Sequence, residues 1–178
     1  GKTNLCHNAI DRHAAKRPND QALIFVSTET DEEKIYSFAE LQAEVERMAA
    51  IYKSLGVGKG DRVLIYMPMV PQAAFAMFAA ARIGAIHSVV FGGFASGSLA
   101  TRIDDAKPKL IVSSDAGMRG GKAVPYKHLL DEAIDIAEHK PANVLMVDRG
   151  LDKGFNKVAG RDVDYATLRE QHLNARVE

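Results

Sequence analysis

The chain has 178 residues, which is enough for one hydrophobic core of ordinary size. Its 23 Lys and Arg residues balance its 23 Asp and Glu residues, so it has neither the basic field that attracts nucleic acids nor an acidic tail. A single cysteine, Cys6, excludes an internal disulfide framework, and no apolar run reaches the length of a transmembrane helix. The composition therefore predicts a soluble cytoplasmic protein with no nucleic-acid or membrane partner.

The first 60 residues predict a helix, a hairpin and a second helix. Residues 4–16 have the apolar spacing of an amphipathic helix. Two short apolar segments, 22–26 and 34–36, flank a polar stretch and predict an antiparallel hairpin. Ser37 followed three residues later by Glu40 is typical of a capping box, so a helix should begin there.

From residue 61 onwards strands alternate with helices. Four strand–helix units at this rhythm predict an α/β fold with a mostly parallel, doubly wound sheet and flanking helices. We interpret residues 1–178 as a single α/β subdomain, with helix, hairpin and capped helix in 1–60, strand–helix repeats in 61–148, and a loop and terminal helix in 149–178. The predicted strands are 62–66, 87–90, 110–113 and 144–147, and the predicted helices are 71–84, 97–106, 126–139 and 165–173.

Two glycine-rich loops follow two of these strands. Glycines at the carboxyl end of a strand let backbone N–H groups approach a ligand without a Cβ in the way. Because parallel strands deliver such loops to one edge of the sheet, the two loops predict a site for a phosphate-bearing molecule. Simple turns with solvated cations are the alternative interpretation. The loops are Phe91-Gly92-Gly93 and Arg119-Gly120-Gly121-Lys122, in which Arg119 would bind phosphate as a fork and Lys122 as a point charge.

Other arrangements of reactive side chains do not predict a catalytic or metal site. Cys6 and His7 have no second cysteine-containing cluster to complete a metal site. His87 stands at the start of a predicted strand, where a structural hydrogen bond is the simpler role. We find no convincing Ser-His-Asp or Cys-His set.

Long sequence strings resemble the short-chain acyl-CoA synthetases of the adenylate-forming superfamily over nearly the whole chain. The resemblance rests on YMPMVP at 66–71 and AARIGAIHSVVFGGF at 80–94. Later segments are most similar to the propionyl-CoA synthetase branch, namely RIDDAKP at 102–108, RGGK at 119–122, VDRGL at 147–151 and GRDVD at 160–164. Acetyl-CoA synthetases usually have Arg at the position of Lys122, and acetyl-CoA synthetase remains an alternative.

The resemblance implies an ATP-dependent, AMP-forming ligase that converts propionate to propionyl-CoA through a propionyl-adenylate. It also implies that this chain is the first subdomain of a large N-terminal domain, with coenzyme A contacts at Phe91, Gly92, Gly93, Arg119, Gly120, Gly121 and Lys122. Phe91 would flank the adenine, although packing into its own core is an alternative for that ring.

The adenylation machinery is expected outside this sequence. In the family the ATP and Mg²⁺ contacts, the acyl pocket and the adenylating lysine follow downstream, so the fragment is expected to hold no catalytic residue and no metal and to be inactive alone. The expected partners are a short-chain carboxylic acid, ATP and coenzyme A, and a homo-oligomer is left open. A non-catalytic nucleotide- or phosphate-binding module of flavodoxin-like shape remains the alternative from another class.

Overall fold

A computed structural model describes residues 3–28 and 30–178. The strands in chain order are β1 (Gln21–Ser27), β2 (Glu32–Ser37), β3 (Arg62–Tyr66), β4 (Ile86–Val90), β5 (Leu110–Ser114), β6 (Gly117–Arg119), β7 (Lys122–Val124), β8 (Asn143–Val147) and β9 (Asp162–Asp164). The helices are α1 (Arg12–Lys16), α2 (Phe38–Ser54), α3 (Pro71–Arg82), α4 (Ser96–Ala106), α5 (Tyr126–Ile136) and α6 (Tyr165–Gln171), and a π-helical turn, His7–Asp11, leads into α1.

Five parallel strands form the central sheet in the order β4-β3-β5-β8-β9, which confirms the predicted α/β class. The chain first moves outwards from β3 to β4 and then reverses past β3 to β5. In open α/β sheets, ligands bind at the carboxyl ends of the strands beside such a reversal. Tyr66 is level with both Val90 and Ser113, so the loops that follow β3, β4 and β5 start at one edge of the sheet.

The inner strands of the sheet are buried on both faces, as an α/β sheet requires, whereas the edge strand β4 exposes Ile86 and Val89. Along β3, Val63 and Ile65 pack into a core with α2 and α3, whereas Leu64 and Tyr66 pack into a second core with α4 and α5. The inner strands β3, β5 and β8 therefore contain continuous runs of apolar residues, which is why the sequence pattern identified them.

The local signals at the start of α2 are confirmed. The Ser37 hydroxyl accepts the backbone N–H of Glu40 at 3.3 Å, and the Glu40 carboxylate accepts the N–H of Ser37 at 2.8 Å. Gly56 follows the helix with a φ of +80°, which is the left-handed conformation that ends many helices. The hairpin between β1 and β2 is also present and antiparallel.

Helix α5 ends three residues before the predicted boundary. Ala137 is extended, with a ψ of 145°, so the backbone leaves the helix there. The Lys140 ammonium then donates to the carbonyl oxygens of Ile134 and Ala137 at 2.5 and 2.6 Å. A cation thus stabilises the negative end of the helix.

The sequence analysis did not predict three short elements. The π-helical turn lies inside the first predicted helix, the RGGK loop is a hairpin between β6 and β7, and β9 adds a three-residue parallel strand to the sheet edge. Strand β9 lacks an apolar run because its sequence is Asp-Val-Asp, so periodicity could not reveal it. Among the described residues, no helix is both long enough and apolar enough to cross a membrane.

Candidate functional site

A groove of about 570 Å³ lies at the carboxyl edge of the parallel sheet. The loops that follow β3, β4, β5 and β8 line it, together with the end of β1. This is the edge at which the two glycine loops were predicted to meet. Phe91, Gly92, Gly93 and Arg119 all line the groove, whereas Lys122 is exposed on the adjacent hairpin and does not.

Gly92 and Gly93 of the first loop must be glycine because neighbouring side chains leave no room for a Cβ atom. A Cβ on Gly92 would lie 1.9 Å from the hydroxyl oxygen of Tyr126. A Cβ on Gly93 would lie 2.6 Å from the Phe91 ring and 3.1 Å from Nη1 of Arg119. The Arg119 guanidinium therefore lies beside the Gly93 backbone, and the two predicted loops do come together.

The glycines of the second loop serve the turn of a hairpin. Gly120 and Gly121 have φ values of +56° and +74°, and a two-residue turn of this type needs positive φ at both positions. Apart from the adjoining residues, no atom of the described chain lies within 4 Å of a Cβ built on either residue. The backbone conformation alone therefore explains why both residues are glycine, without any ligand. Their contact with coenzyme A stays a prediction.

Arg119 and Lys122 face each other across this hairpin. They are direct partners in the antiparallel register, so both side chains lie on the same face. Like charges in such a pair are destabilising, and neither side chain has an ion pair or hydrogen bond within the described ranges 3–28 and 30–178. The pair therefore offers an anion two unengaged cations.

Phe91 is on the surface of the groove. Its side chain is 67% exposed, and its ring meets the Phe94 ring edge-on at 6.0 Å between centroids. The exposed position contradicts the alternative in which this phenylalanine packs into the core. An exposed aromatic ring at the groove rim can stack on a flat ligand group.

Tyr126 is a residue of the site that the sequence analysis missed. Its ring contacts the Tyr66 ring at 4.9 Å between centroids, and a Cβ on Gly117 would lie 2.4 Å from Cε2 of Tyr126. The ring therefore lies between Gly92 of the first loop and Gly117 at the start of β6. No local signal reveals this, because a tyrosine at the first position of a helix is unremarkable in sequence.

The Tyr66 side chain stabilises the first loop by a hydrogen bond to its backbone. Burial and the neighbouring Tyr126 raise the pKa of Tyr66 to about 12, so its hydroxyl stays protonated at neutral pH. This hydroxyl donates to the Phe94 carbonyl oxygen at 3.3 Å. The two tyrosines together define where the backbone of residues 92–94 lies.

Asp115 fixes the loop that follows β8. Its side chain is fully buried directly after β5, and its two carboxylate oxygens accept the N–H groups of Arg149 at 2.9 Å, Leu151 at 2.7 Å and Asp152 at 3.0 Å. A buried carboxylate needs such donors. The loop is thereby held against the end of β5, with Arg149 in the groove wall. An acidic residue directly after an apolar strand was the available sequence signal.

A network of buried charges holds the outer part of the same loop. The Lys127 ammonium, fully buried in α5, lies 2.6 Å from the Asp131 carboxylate and 2.9 Å from that of Asp162. Arg161 binds both carboxylates as well.

Within the described part of the chain, no three His, Cys, Asp or Glu side chains are grouped as metal ligands would be.

Comparison with known proteins gives a consistent result. A family model described as AMP-binding enzyme matches residues 10–172. The chain is 63% identical over 177 residues to the propionate–CoA ligases of Escherichia coli K12 and Salmonella typhimurium LT2, which covers 99% of this chain and 28% of each relative. It is 47% identical over 171 residues to an acetyl-coenzyme A synthetase of Methylobacterium radiotolerans, covering 96% of this chain and 26% of that relative.

A solved structure agrees with the sequence relatives. The acetoacetyl-CoA synthetase from Streptomyces lividans superposes with a TM-score of 0.82 at 30% identity, over 98% of this chain and 25% of the other. The chain thus spans only 28% of the length of the propionate–CoA ligases that it matches.

Proposed function

Because the chain belongs to the AMP-binding enzyme family, we propose that it forms part of an ATP-dependent, AMP-forming acyl-CoA ligase whose acid substrate is propionate. The identity of 63% to propionate–CoA ligases, against 47% to an acetyl-coenzyme A synthetase, supports propionate as the substrate. The relatives are far longer than this chain. We therefore assign the ligase activity to a longer protein that contains this chain. Cytoplasmic location, Mg²⁺ as the companion of ATP, and a homo-oligomer remain predictions.

The chemistry explains why such a protein needs a coenzyme A site. A carboxylate is a poor acyl donor because its leaving oxygen is very basic. The acid therefore attacks the α-phosphate of ATP, pyrophosphate leaves, and an acyl-adenylate forms. The thiol of coenzyme A then displaces AMP and forms the thioester. We assign the groove of this chain to the second half-reaction only.

One observation supports this assignment above the others, namely the position of Arg119 beside Gly93 at the carboxyl edge of the sheet. The guanidinium would bind coenzyme A phosphates as a fork, and Lys122 would add a point charge from the other strand of the hairpin. The backbone of Gly92 and Gly93 would approach the ligand closely, and Phe91 would flank the adenine. Gly120 and Gly121 would contact the same ligand from the turn.

The test uses the full-length protein with Arg119→Ala and Lys122→Ala. A charge-assisted hydrogen bond contributes about 1.5–3 kcal/mol, so the Michaelis constant for coenzyme A should rise roughly 10- to 150-fold. Arg119→Ala should have the larger effect because the fork is lost with the charge. ATP–pyrophosphate exchange needs no coenzyme A and should stay near the unmodified rate.

The matched control is Arg12→Ala, which removes an exposed cation from α1. It should change neither half-reaction. If Arg119→Ala and Lys122→Ala weaken both half-reactions equally and lower the melting temperature, the two side chains only brace the hairpin and the coenzyme A assignment is wrong.

Acetate is the second candidate substrate, supported by the 47% identity to an acetyl-coenzyme A synthetase. The acyl pocket is expected outside this chain, so the described groove does not discriminate between the two acids. Full-length kinetics with propionate and acetate would do so, and a higher kcat/KM for acetate would overturn the propionate assignment.

A further inference from the structure

A second arginine lines the groove at a distance from the two glycine loops. Arg149 follows β8, and in the sheet β8 is separated from β4 by β3 and β5. Neighbouring strands lie about 4.8 Å apart, so the groove extends over roughly 14 Å from the end of β4 to the end of β8. A ligand that reaches from Phe91 to Arg149 must therefore be elongated.

The contacts of Arg149 leave most of its guanidinium unused. Nη1 donates to the Ala116 carbonyl oxygen at 3.2 Å, but a guanidinium has five N–H donors. In the described part of the chain no carboxylate forms an ion pair with Arg149, although the residue is half-buried. By contrast, the half-buried Arg161 and Arg169 each bind a carboxylate at 2.5 Å.

The position of Arg149 is held by long-range contacts. Its N–H donates to Asp115, 34 residues earlier in the chain, and the same carboxylate binds two further N–H groups of this loop. The arrangement keeps a cation that lacks an acidic partner in the wall of the groove.

We propose that Arg149 is a further binding residue of the groove and that it holds a phosphate group of the same ligand that Arg119 contacts. The two arginines follow β5 and β8, whereas the exposed Phe91 ring follows β4. Apolar side chains also line the groove, among them Met67, Val124 and Leu129. Such a lining suits an elongated ligand that carries phosphate together with less polar parts. Under the proposed function, on which this identification rests, the ligand is coenzyme A.

The experiment compares Arg149→Met with Arg149→Lys in the full-length protein, and Arg12→Met serves as the control. Methionine keeps much of the side-chain volume and removes the charge, whereas lysine keeps the charge and loses the fork. Calorimetric titration should give a dissociation constant for coenzyme A that is roughly 10- to 100-fold higher in Arg149→Met. Arg149→Lys should recover part of this loss, and the control should bind like the unmodified protein.

Two results would overturn the proposal. One is an unchanged dissociation constant in Arg149→Met. The other is an equal loss in the methionine and lysine variants together with a lower melting temperature, because a side chain that only braces Ala116 would behave in that way. Titration with dephospho-coenzyme A locates the contact: a smaller loss than with coenzyme A places it at the 3′-phosphate, and an equal loss places it at the pyrophosphate.

Inorganic pyrophosphate separates this inference from the proposed function. If the unmodified protein binds pyrophosphate in an Arg149-dependent manner but does not bind coenzyme A, the anion site stands and the coenzyme A assignment is wrong. If coenzyme A binding depends on Arg119 but not on Arg149, the proposed function stands and the role of Arg149 is wrong.

Discussion

Alanine at position 92 tests whether Tyr126 determines the position of the first glycine loop. The added Cβ would lie 1.9 Å from the Tyr126 hydroxyl oxygen and 2.4 Å from Cε1, distances that real Cβ atoms do not adopt. The ring cannot easily move aside, because it packs against Tyr66 and against Gly117. The loop must therefore move by roughly 1.5 Å or more to restore ordinary van der Waals contact.

The expected consequences follow from this displacement. Overpacking of this kind costs about 1–3 kcal/mol, which lowers the melting temperature of a domain of this size by roughly 2–12 °C. Because a misplacement of about 1 Å can reduce binding or rate by ~100-fold, Gly92→Ala should also raise the Michaelis constant for coenzyme A in the full-length protein. Thermal unfolding and steady-state kinetics measure the two effects.

Gly97→Ala is the matched control. Gly97 lies in α4, where an added Cβ would meet no described atom within 4 Å beyond its own helix backbone and adjoining residues, so this variant should be neutral or slightly stabilising. In a Tyr126→Ala background the Gly92→Ala penalty should disappear, which a double-mutant cycle would show. The reasoning is refuted if Gly92→Ala behaves like Gly97→Ala, or if its penalty persists without the tyrosine ring.

Three further outcomes are expected. Lys127→Met leaves the Asp131 and Asp162 carboxylates without their buried ammonium, so the free energy of unfolding should fall by about 3–5 kcal/mol; an unchanged urea midpoint would contradict this. Burial raises the pKa of Asp162, but hydrogen bonds led by that of Arg161 outweigh it and hold the pKa below 3.8. This stabilisation should be present above about pH 4 and be lost as the pH falls further. In Asp162→Asn the free energy of unfolding, measured with urea, should therefore decrease less steeply as the pH is lowered below about 4. Residues 1–178 alone should catalyse no ATP–pyrophosphate exchange with propionate, and clear exchange would contradict the assignment of adenylation to other parts of the protein.

The sequence alone determined the features that depend on neighbouring residues. The buried strands β3, β5 and β8 were predicted because continuous apolar runs need no knowledge of what packs on them. The capping box of Ser37 and Glu40 was predicted because both partners lie within four residues. The two glycine loops and the two cations of the second loop were also visible in the sequence, since each loop comes soon after a predicted strand, and long matching strings indicated the family.

The way in which distant segments meet could not be read from the sequence, because it depends on packing between elements. The place of Tyr126 between Gly92 and Gly117 depends on the packing of α5 against two loops that follow different strands. Likewise, Asp115 holds Arg149 across 34 residues of sequence. Gly92 and Gly93 are required because side chains lie close to them, whereas Gly120 and Gly121 are required by the φ angles of a turn. Sequence periodicity records which face of an element is buried, but it does not record which element covers that face, and the groove is built from such contacts between elements.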